Sequence, residues 1–181
     1  MKKGVYFIDD SVFPGGKGRE VTAADFVYSL NRHFDPKMLP TGTGYWEKRI
    51  VGLDEWKDAG SKYEKEVAGL KSLDRYTVQV TLKEPYPQFI YTLAMPFASV
   101  VPKEAVDKYG KEFKVHPVGS GPFILKEFST KKAELIKNPN YHDMRIDLEG
   151  YSEAVHGASG IKALSGLRIP LIDRLIISFM E

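Results

Sequence analysis

The stretch DDSVFPGGKGREVTAADFVYSLNR, residues 9–32, poses the first decision about this chain. Its Gly15-Gly16-Lys17-Gly18 centre has the look of a phosphate loop, and Asp9-Asp10 the look of a carboxylate pair. A phosphate loop needs two glycines four residues apart, then Lys and Ser or Thr, set between a strand and a helix. Here Lys17 is followed by Gly18 and Arg19, so no hydroxyl is offered to a magnesium ion. The helix signal begins only at Thr22, where Thr22-Ala23-Ala24-Asp25 has the form of a capping box. Its N–H groups are therefore not aimed at the glycine turn. Asp25 suits the positive end of the helix dipole, and Phe26, Val27, Leu30 and Phe34 follow helical spacing. The helix is predicted to stop near Asp35-Pro36, because a residue before proline avoids helical angles. The stretch thus reads as a surface turn leading into a capped helix. Asp9 and Asp10, adjacent at a strand end, would point to opposite faces, which suits a solvated, turn-capping pair better than a shared proton.

Working outward, Val5–Ile8 has strand character, and Tyr45–Trp56 is predicted as a second helix with Tyr45, Trp46, Ile50 and Leu53 inward. Met38–Gly44 reads as a loop, and Asp58–Lys65 as a polar, mobile segment. Residues 76–82 alternate cleanly, with Tyr76, Val78, Val80 and Leu82 on one face and Thr77, Gln79 and Thr81 on the other. Residues 67–73 are predicted to pair with that strand through a turn at Asp74-Arg75. A short apolar helix follows over 88–94, and Pro102–Tyr109 is a further helix, bounded by its leading Pro and by Gly110. His116–Pro122 is a rigid connector, then strands are expected at 123–128, 133–137 and 171–180, with a turn at 138–141 and a long, weakly patterned stretch over 142–169. Helices and strands interleave without a regular βα repeat, which gives a mixed α/β (α+β) fold.

Composition narrows the function classes. The 181 residues are 43% hydrophobic and 28% charged, an ordinary globular balance, with a formal net charge of +2. The basic residues are scattered, so there is no electrostatic case for nucleic acid as a partner. No cysteine is present, which removes disulfides and thiolate metal sites. The four histidines, His33, His116, His142 and His156, have no metal-site spacing, and no metal or cofactor is expected. Gly119-Ser120-Gly121 is neither a dinucleotide fingerprint nor a nucleophile elbow. The apolar run after Met1-Lys2-Lys3 is too short for a secretory signal, and no segment reaches the roughly 18 apolar residues of a membrane span. Both ends read as interrupted elements, so the expectation is a piece of a longer protein. Tyr45, Trp46, Trp56, Tyr86, Tyr91 and Phe97 sit at or near element ends. Each suits core packing, and loop-edge aromatics such as Tyr45 and Phe97 also suit the wall of a ligand cleft.

Several segments, taken in order, resemble one family. GVYFIDD (4–10), GREVTAADFVYSLNR (18–32) with Asp35-Pro36, LDRYTVQV (73–80), LKEPYP (82–87), VPKEAV (101–106) with Tyr109-Gly110, PVGSGPF (117–123) and NPNY (138–141) are similar to the family 5 extracellular solute-binding proteins. These are the peptide/nickel-type receptors of ABC importers. The resemblance covers nearly the whole chain. Three departures stand out: a loop enlarged through Gly15–Gly18, His142 where the family has Trp, and a longer stretch over 144–169. The resemblance implies part of a type II periplasmic-binding-protein-like fold, with residues 1–118 as the small subdomain of the N-terminal lobe and 119–181 as connector and partial main subdomain. It implies a non-catalytic receptor, periplasmic or extracellular or held as a lipoprotein, that captures a small ligand, a peptide foremost, between two lobes. ABC permease subunits in the membrane would be its partners. The ligand-side positions it implies are Tyr45, Met95 and Phe97. Oligopeptide, dipeptide, sugar, nickel complex and haem all remain open as ligands. Two other classes stand beside this one: an enzyme on a phosphorylated or glycosidic substrate using Lys17, Asp9 or Asp10, and an interaction domain that docks without a ligand.

Overall fold

The computed structural model describes residues 1–36 and 42–179. The Met38–Gly44 loop expectation falls largely outside those residues, as does the Met180 end of the last strand.

Helix α1, Ala23–Asn31, starts where the capping signal places it. Thr22 is extended, and the Asp25 carboxylate accepts hydrogen bonds from the Thr22 N–H and hydroxyl, each at 2.8 Å. A single 3-10 turn, Arg32–Phe34, prolongs the helix until Asp35 turns extended before Pro36. Leu30 and Phe34 are buried, with Phe26 and Val27 packed alongside.

The continuous helix expected over 45–56 is replaced by a 3-10 turn, Thr43–Tyr45, and a short helix α2, Leu53–Asp58. Long-range pairing overrides local propensity between them. Ile50 bridges Leu82, Val51 N–H donates to Thr81 O at 3.0 Å, and Gly69 N–H donates to Val51 O at 2.7 Å. Lys48 at φ 60° and Gly52 at φ 77° turn the chain into and out of that pairing. Trp46, Ile50 and Leu53 are still fully buried, whereas Tyr45 is not turned inward.

Strands β1, Leu70–Ser72, and β2, Val78–Val80, form the expected antiparallel hairpin, with Leu70 opposite Val80. Its inward residues close a core around Leu30, Phe34, Trp46, Ile50, Leu53, Trp56, Val67 and Leu70. Each such large side chain contributes about 1.5–3 kcal/mol by leaving water. The 58–65 segment, expected to be mobile, is anchored to this core. Ser61 is buried with its hydroxyl on Phe34 O at 2.6 Å, and Trp56 Nε1 donates to Lys62 O and Lys65 O.

A second core gathers Phe7, Ile8, Phe13, Val21, Ala105, Phe113 and Val118. The Val5–Ile8 strand reduces to one bridge, Tyr6 to Glu20, because Phe7 and Ile8 are both swallowed by this core and cannot alternate. The backbone is pressed so close there that a Cβ on Gly18 would lie 1.9 Å from Phe7 O. Helix α3, Phe89–Thr92, and helix α4, Lys103–Tyr109, follow as predicted, and Gly110 at φ 49° ends α4.

Strands β3, Phe123–Phe128, β4, Lys132–Lys137, and β5, Arg174–Ser178, make an antiparallel sheet in the order β3-β4-β5. Residues 142–169 carry a four-residue helix α5, Glu153–His156, and close on themselves. Ile146 N–H donates to Leu167 O and Ile169 N–H to Met144 O, around an Arg145–Arg168 bridge.

Candidate ligand-binding site

Tyr45 ends its 3-10 turn and Phe97 sits in another, Pro96–Ala98, where the leading Pro presets the backbone. The structure brings the two rings together, stacked with centroids 4.9 Å apart and planes 25° apart. Gly42, at φ 81°, lets the turn lie flat on Phe97, since a Cβ there would fall 2.4 Å from the ring. On its other side Phe97 packs on the Trp46 core, and its carbonyl lies 2.7 Å from His33 Nε2. The Tyr45 residue is 38% exposed, so the pair offers a fixed aromatic surface with a phenol at its edge. Met95, half-buried, is extended at the start of the Phe97 turn and accepts the Ala98 N–H at 2.9 Å. It shares that turn with Phe97 without entering the ring stack. Trp46 and Trp56 belong to the core, and Tyr86 lies under the Arg49 guanidinium, 4.0 Å from its centroid.

The charged candidates take structural places. Lys17 Nζ donates to Asp9 Oδ2 at 2.7 Å, and Gly18 N–H to Asp9 Oδ1 at 3.0 Å. Those bonds hold the Asp9 carboxyl below its ordinary range. Gly15 and Gly16, at φ 64° and 73°, form the turn. Asp10 faces elsewhere, accepting from Val12 N–H and Tyr109 OH, with His116 Nε2 at 2.8 Å. Burial opposes its charge, but the Tyr109, His116 and Val12 hydrogen bonds outweigh it and lower its pKa. The expectation of a solvated pair is corrected for Asp10, whose side chain is only 8% exposed. Among the described residues no group of three His, Asp or Glu is placed to hold a metal ion, and no helix is long and apolar enough to cross a membrane.

Sequence reasoning missed one ion cluster. Arg19 grips Asp25 through both terminal nitrogens, at 2.6 and 2.9 Å, and Glu104 through Nε and Nη2, at 2.7 and 2.9 Å. Asp25 is buried, and the pairing raises the Arg19 pKa well above its usual value, Asp25 more than Glu104. The cluster ties the loop that carries Lys17 to α1 and α4. Asp25 carries a local capping signal, but nothing in the sequence connects Arg19 to a residue 85 positions away.

The framework is thus a buried aromatic core that presents a stacked pair at its edge. The family model for bacterial extracellular solute-binding proteins, family 5 Middle, matches residues 1–181, and the chain belongs to that family. It is 36% identical over 128 residues to the periplasmic oligopeptide-binding protein OppA of Escherichia coli (strain K12), covering 68% of this chain and 23% of that protein. It is 32% identical over 157 residues to the dipeptide-binding protein of Lactococcus lactis subsp. cremoris (strain MG1363), covering 78% and 28%. The solved structure of Listeria monocytogenes OppA bound to peptide superposes with a TM-score of 0.65 at 28% identity, covering 79% of this chain and 27% of that one. The chain thus spans about a quarter of the length of these relatives, and its fold corresponds to that share of a type II periplasmic-binding-protein fold.

Proposed function

We propose that this chain supplies part of the N-terminal lobe of an ABC-importer receptor that captures a small solute, a peptide foremost, outside the cytoplasmic membrane and delivers it to membrane permease subunits. The observation that carries the reading is the Tyr45–Phe97 stack, which presents aromatic surface at a loop edge in a chain of the solute-binding family. Residues 1–118 would form the small subdomain, and 119–181 the connector and part of the main one. Tyr45, Phe97 and Met95 would line one wall of an interlobe cleft, with closure and backbone groups supplying specificity. Such capture needs no acid, base or metal, so the receptor would act without chemistry on its ligand.

The relatives named for oligopeptide and dipeptide binding favour peptides over the other solutes. The test is calorimetry on the full-length receptor with a pool of tri- to pentapeptides. Tyr45→Ala and Phe97→Ala are each expected to weaken binding about five-fold, the worth of one aromatic contact. Unchanged affinity in both variants would remove these residues from the cleft. Mass spectrometry of the solute that co-purifies with the receptor would identify the ligand. A phosphorylated or glycosidic compound there, with turnover lost in Lys17→Ala, would restore the enzyme alternative.

A further inference from the structure

Segments far apart in the sequence meet around one cavity. It has a volume of about 400 Å³ and is lined by Lys17 and Gly18 of the enlarged loop, Pro139 and Asn140 of the turn that leads to His142, Arg168 from the end of the long 144–169 stretch, and the Tyr6–Asp9 segment. From the two cations of this lining, Lys17 and Arg168, we infer a second binding site, separate from the Tyr45–Phe97 wall, that takes a small solute through an oxyanion group, a carboxylate or a phosphate.

The two cations of the lining are oriented without being consumed. Arg168 Nη2 donates to Tyr141 O, and its Nε lies 4.0 Å from Asp143 Oδ1, a carboxylate that Arg145 approaches more closely at 3.3 Å. Arg19 makes the contrast plain, since its donors are spent on two carboxylates. Among the described residues Arg168 keeps Nη1 for a ligand, in the fork geometry that matches planar carboxylate and phosphate oxygens. Lys17 gives one of its three N–H bonds to Asp9, and its side chain is 80% exposed.

The surroundings lean positive. Lys2 Nζ lies on Asp143 O at 3.4 Å, so Lys2, Arg145 and Arg168 stand around the one residue Asp143, while Lys17 pairs with Asp9. His142, whose Nδ1 is buried without a partner among the described residues, registers this field. Burial, then Lys2 and Arg168, lower its pKa. The exposed Tyr6 ring supplies an apolar wall for the rest of the solute.

The test is calorimetry on this chain with succinate in one arm and inorganic phosphate in the other, at constant ionic strength set by sodium chloride. Saturable binding in either arm supports the site, and the tighter arm identifies the oxyanion. Arg168→Gln and Lys17→Gln are each expected to weaken binding about ten-fold, the scale of one charge-assisted hydrogen bond, while the exposed Lys111→Gln leaves it unchanged. Thermal unfolding confirms that the variants are folded. No saturable binding in either arm, or wild-type affinity in both cavity variants, overturns the inference. Neither result depends on whether peptides bind at Tyr45 and Phe97.

Discussion

The core around Trp46 and the sheet β3-β4-β5 begin from similar sequence signals and end differently. Both are written in apolar residues at strand or helix spacing. Around Trp46 that apolar surface is covered by α1, α2 and the β1–β2 hairpin, and Trp46, Ile50 and Leu53 are wholly buried. In the sheet, register places Leu125, Leu135 and Leu175 on the same face as Phe128, Ala133 and Ile177. Phe128 and Phe179 meet edge-on on this sheet at 6.1 Å, yet both rings, Leu175 and Ile177 are all exposed. The opposite face is held by charge, with Glu134 buried between Lys126, Lys132 and Arg174 at 3.0, 3.5 and 3.2 Å. A hydrophobic pattern thus specifies which face seeks cover, and a second layer decides whether the face gains stability from it.

The largest effect expected from this difference is at Trp46. Trp46→Ala should cost about 3–5 kcal/mol in urea unfolding, through lost burial and the cavity left behind. Ile177→Ala should cost less than about 0.5 kcal/mol, as an exposed substitution does. Equal losses at the two sites would break the comparison.

A smaller loss tests how the Trp46 side of the molecule is fastened to its loop. Asp25→Asn keeps the shape of the side chain but leaves Arg19 with Glu104 alone, and should cost about 2 kcal/mol. The pH dependence follows the same contacts. Burial opposes the Asp25 charge, but the Arg19 and Thr22 bonds lower its pKa, and the Arg19 hydrogen bond lowers that of Glu104. Folded carboxyls with depressed pKa values bind fewer protons than the unfolded chain does. Their stabilisation is therefore full above the unfolded value, about 4, and is lost as pH falls through the folded one. Thermal unfolding should show the midpoint dropping below about pH 4, and the drop should be shallower in Asp25→Asn. An unchanged acid limb in the variant would count against the cluster.

What the sequence reveals follows from how far each signal reaches. The α1 start at Thr22, the 76–82 alternation, the Pro102–Gly110 bounds of α4 and the β3–β4 pair are local patterns, and each is found in place. The 45–56 helix is missed because the contacts that replace it, Ile50 to Leu82 and Val51 to Thr81, lie about thirty residues away, and because Lys48 takes a left-handed turn that its side chain does not announce. The site divides in the same way. That Tyr45 and Phe97 stand together could be expected only through the family resemblance, while the Asp9–Lys17 turn was readable from its glycines. Arg168 carries no sequence signal, since only the closure of 144–169 brings it to Lys17.

Between the covered and the open regions stands the Tyr45–Phe97 pair, packed on the Trp46 core on one side and half open on the other. Tyr45→Ala should cost about 1 kcal/mol in thermal or urea unfolding, with Tyr45→Phe recovering most of it because the stack, rather than the phenol, carries the effect. A loss near that of Trp46→Ala would place Tyr45 in the core proper.

The smallest effect is the most informative about the sheet. Leu175→Thr with Ile177→Thr keeps a β-compatible branched side chain at each position and removes apolar surface from the open face. In this chain the pair should change stability by no more than about 0.5 kcal/mol, because little burial is lost. It should also reduce self-association in sedimentation runs at high concentration, since a contiguous exposed apolar face favours association. In the full-length receptor, where the proposed main subdomain would cover this face, the same pair should instead cost about 2 kcal/mol or more. A small cost in both would mean that the face stays open in the receptor. A large cost in both would mean that the sheet is already covered within these residues and that its likeness to the Trp46 core extends to packing.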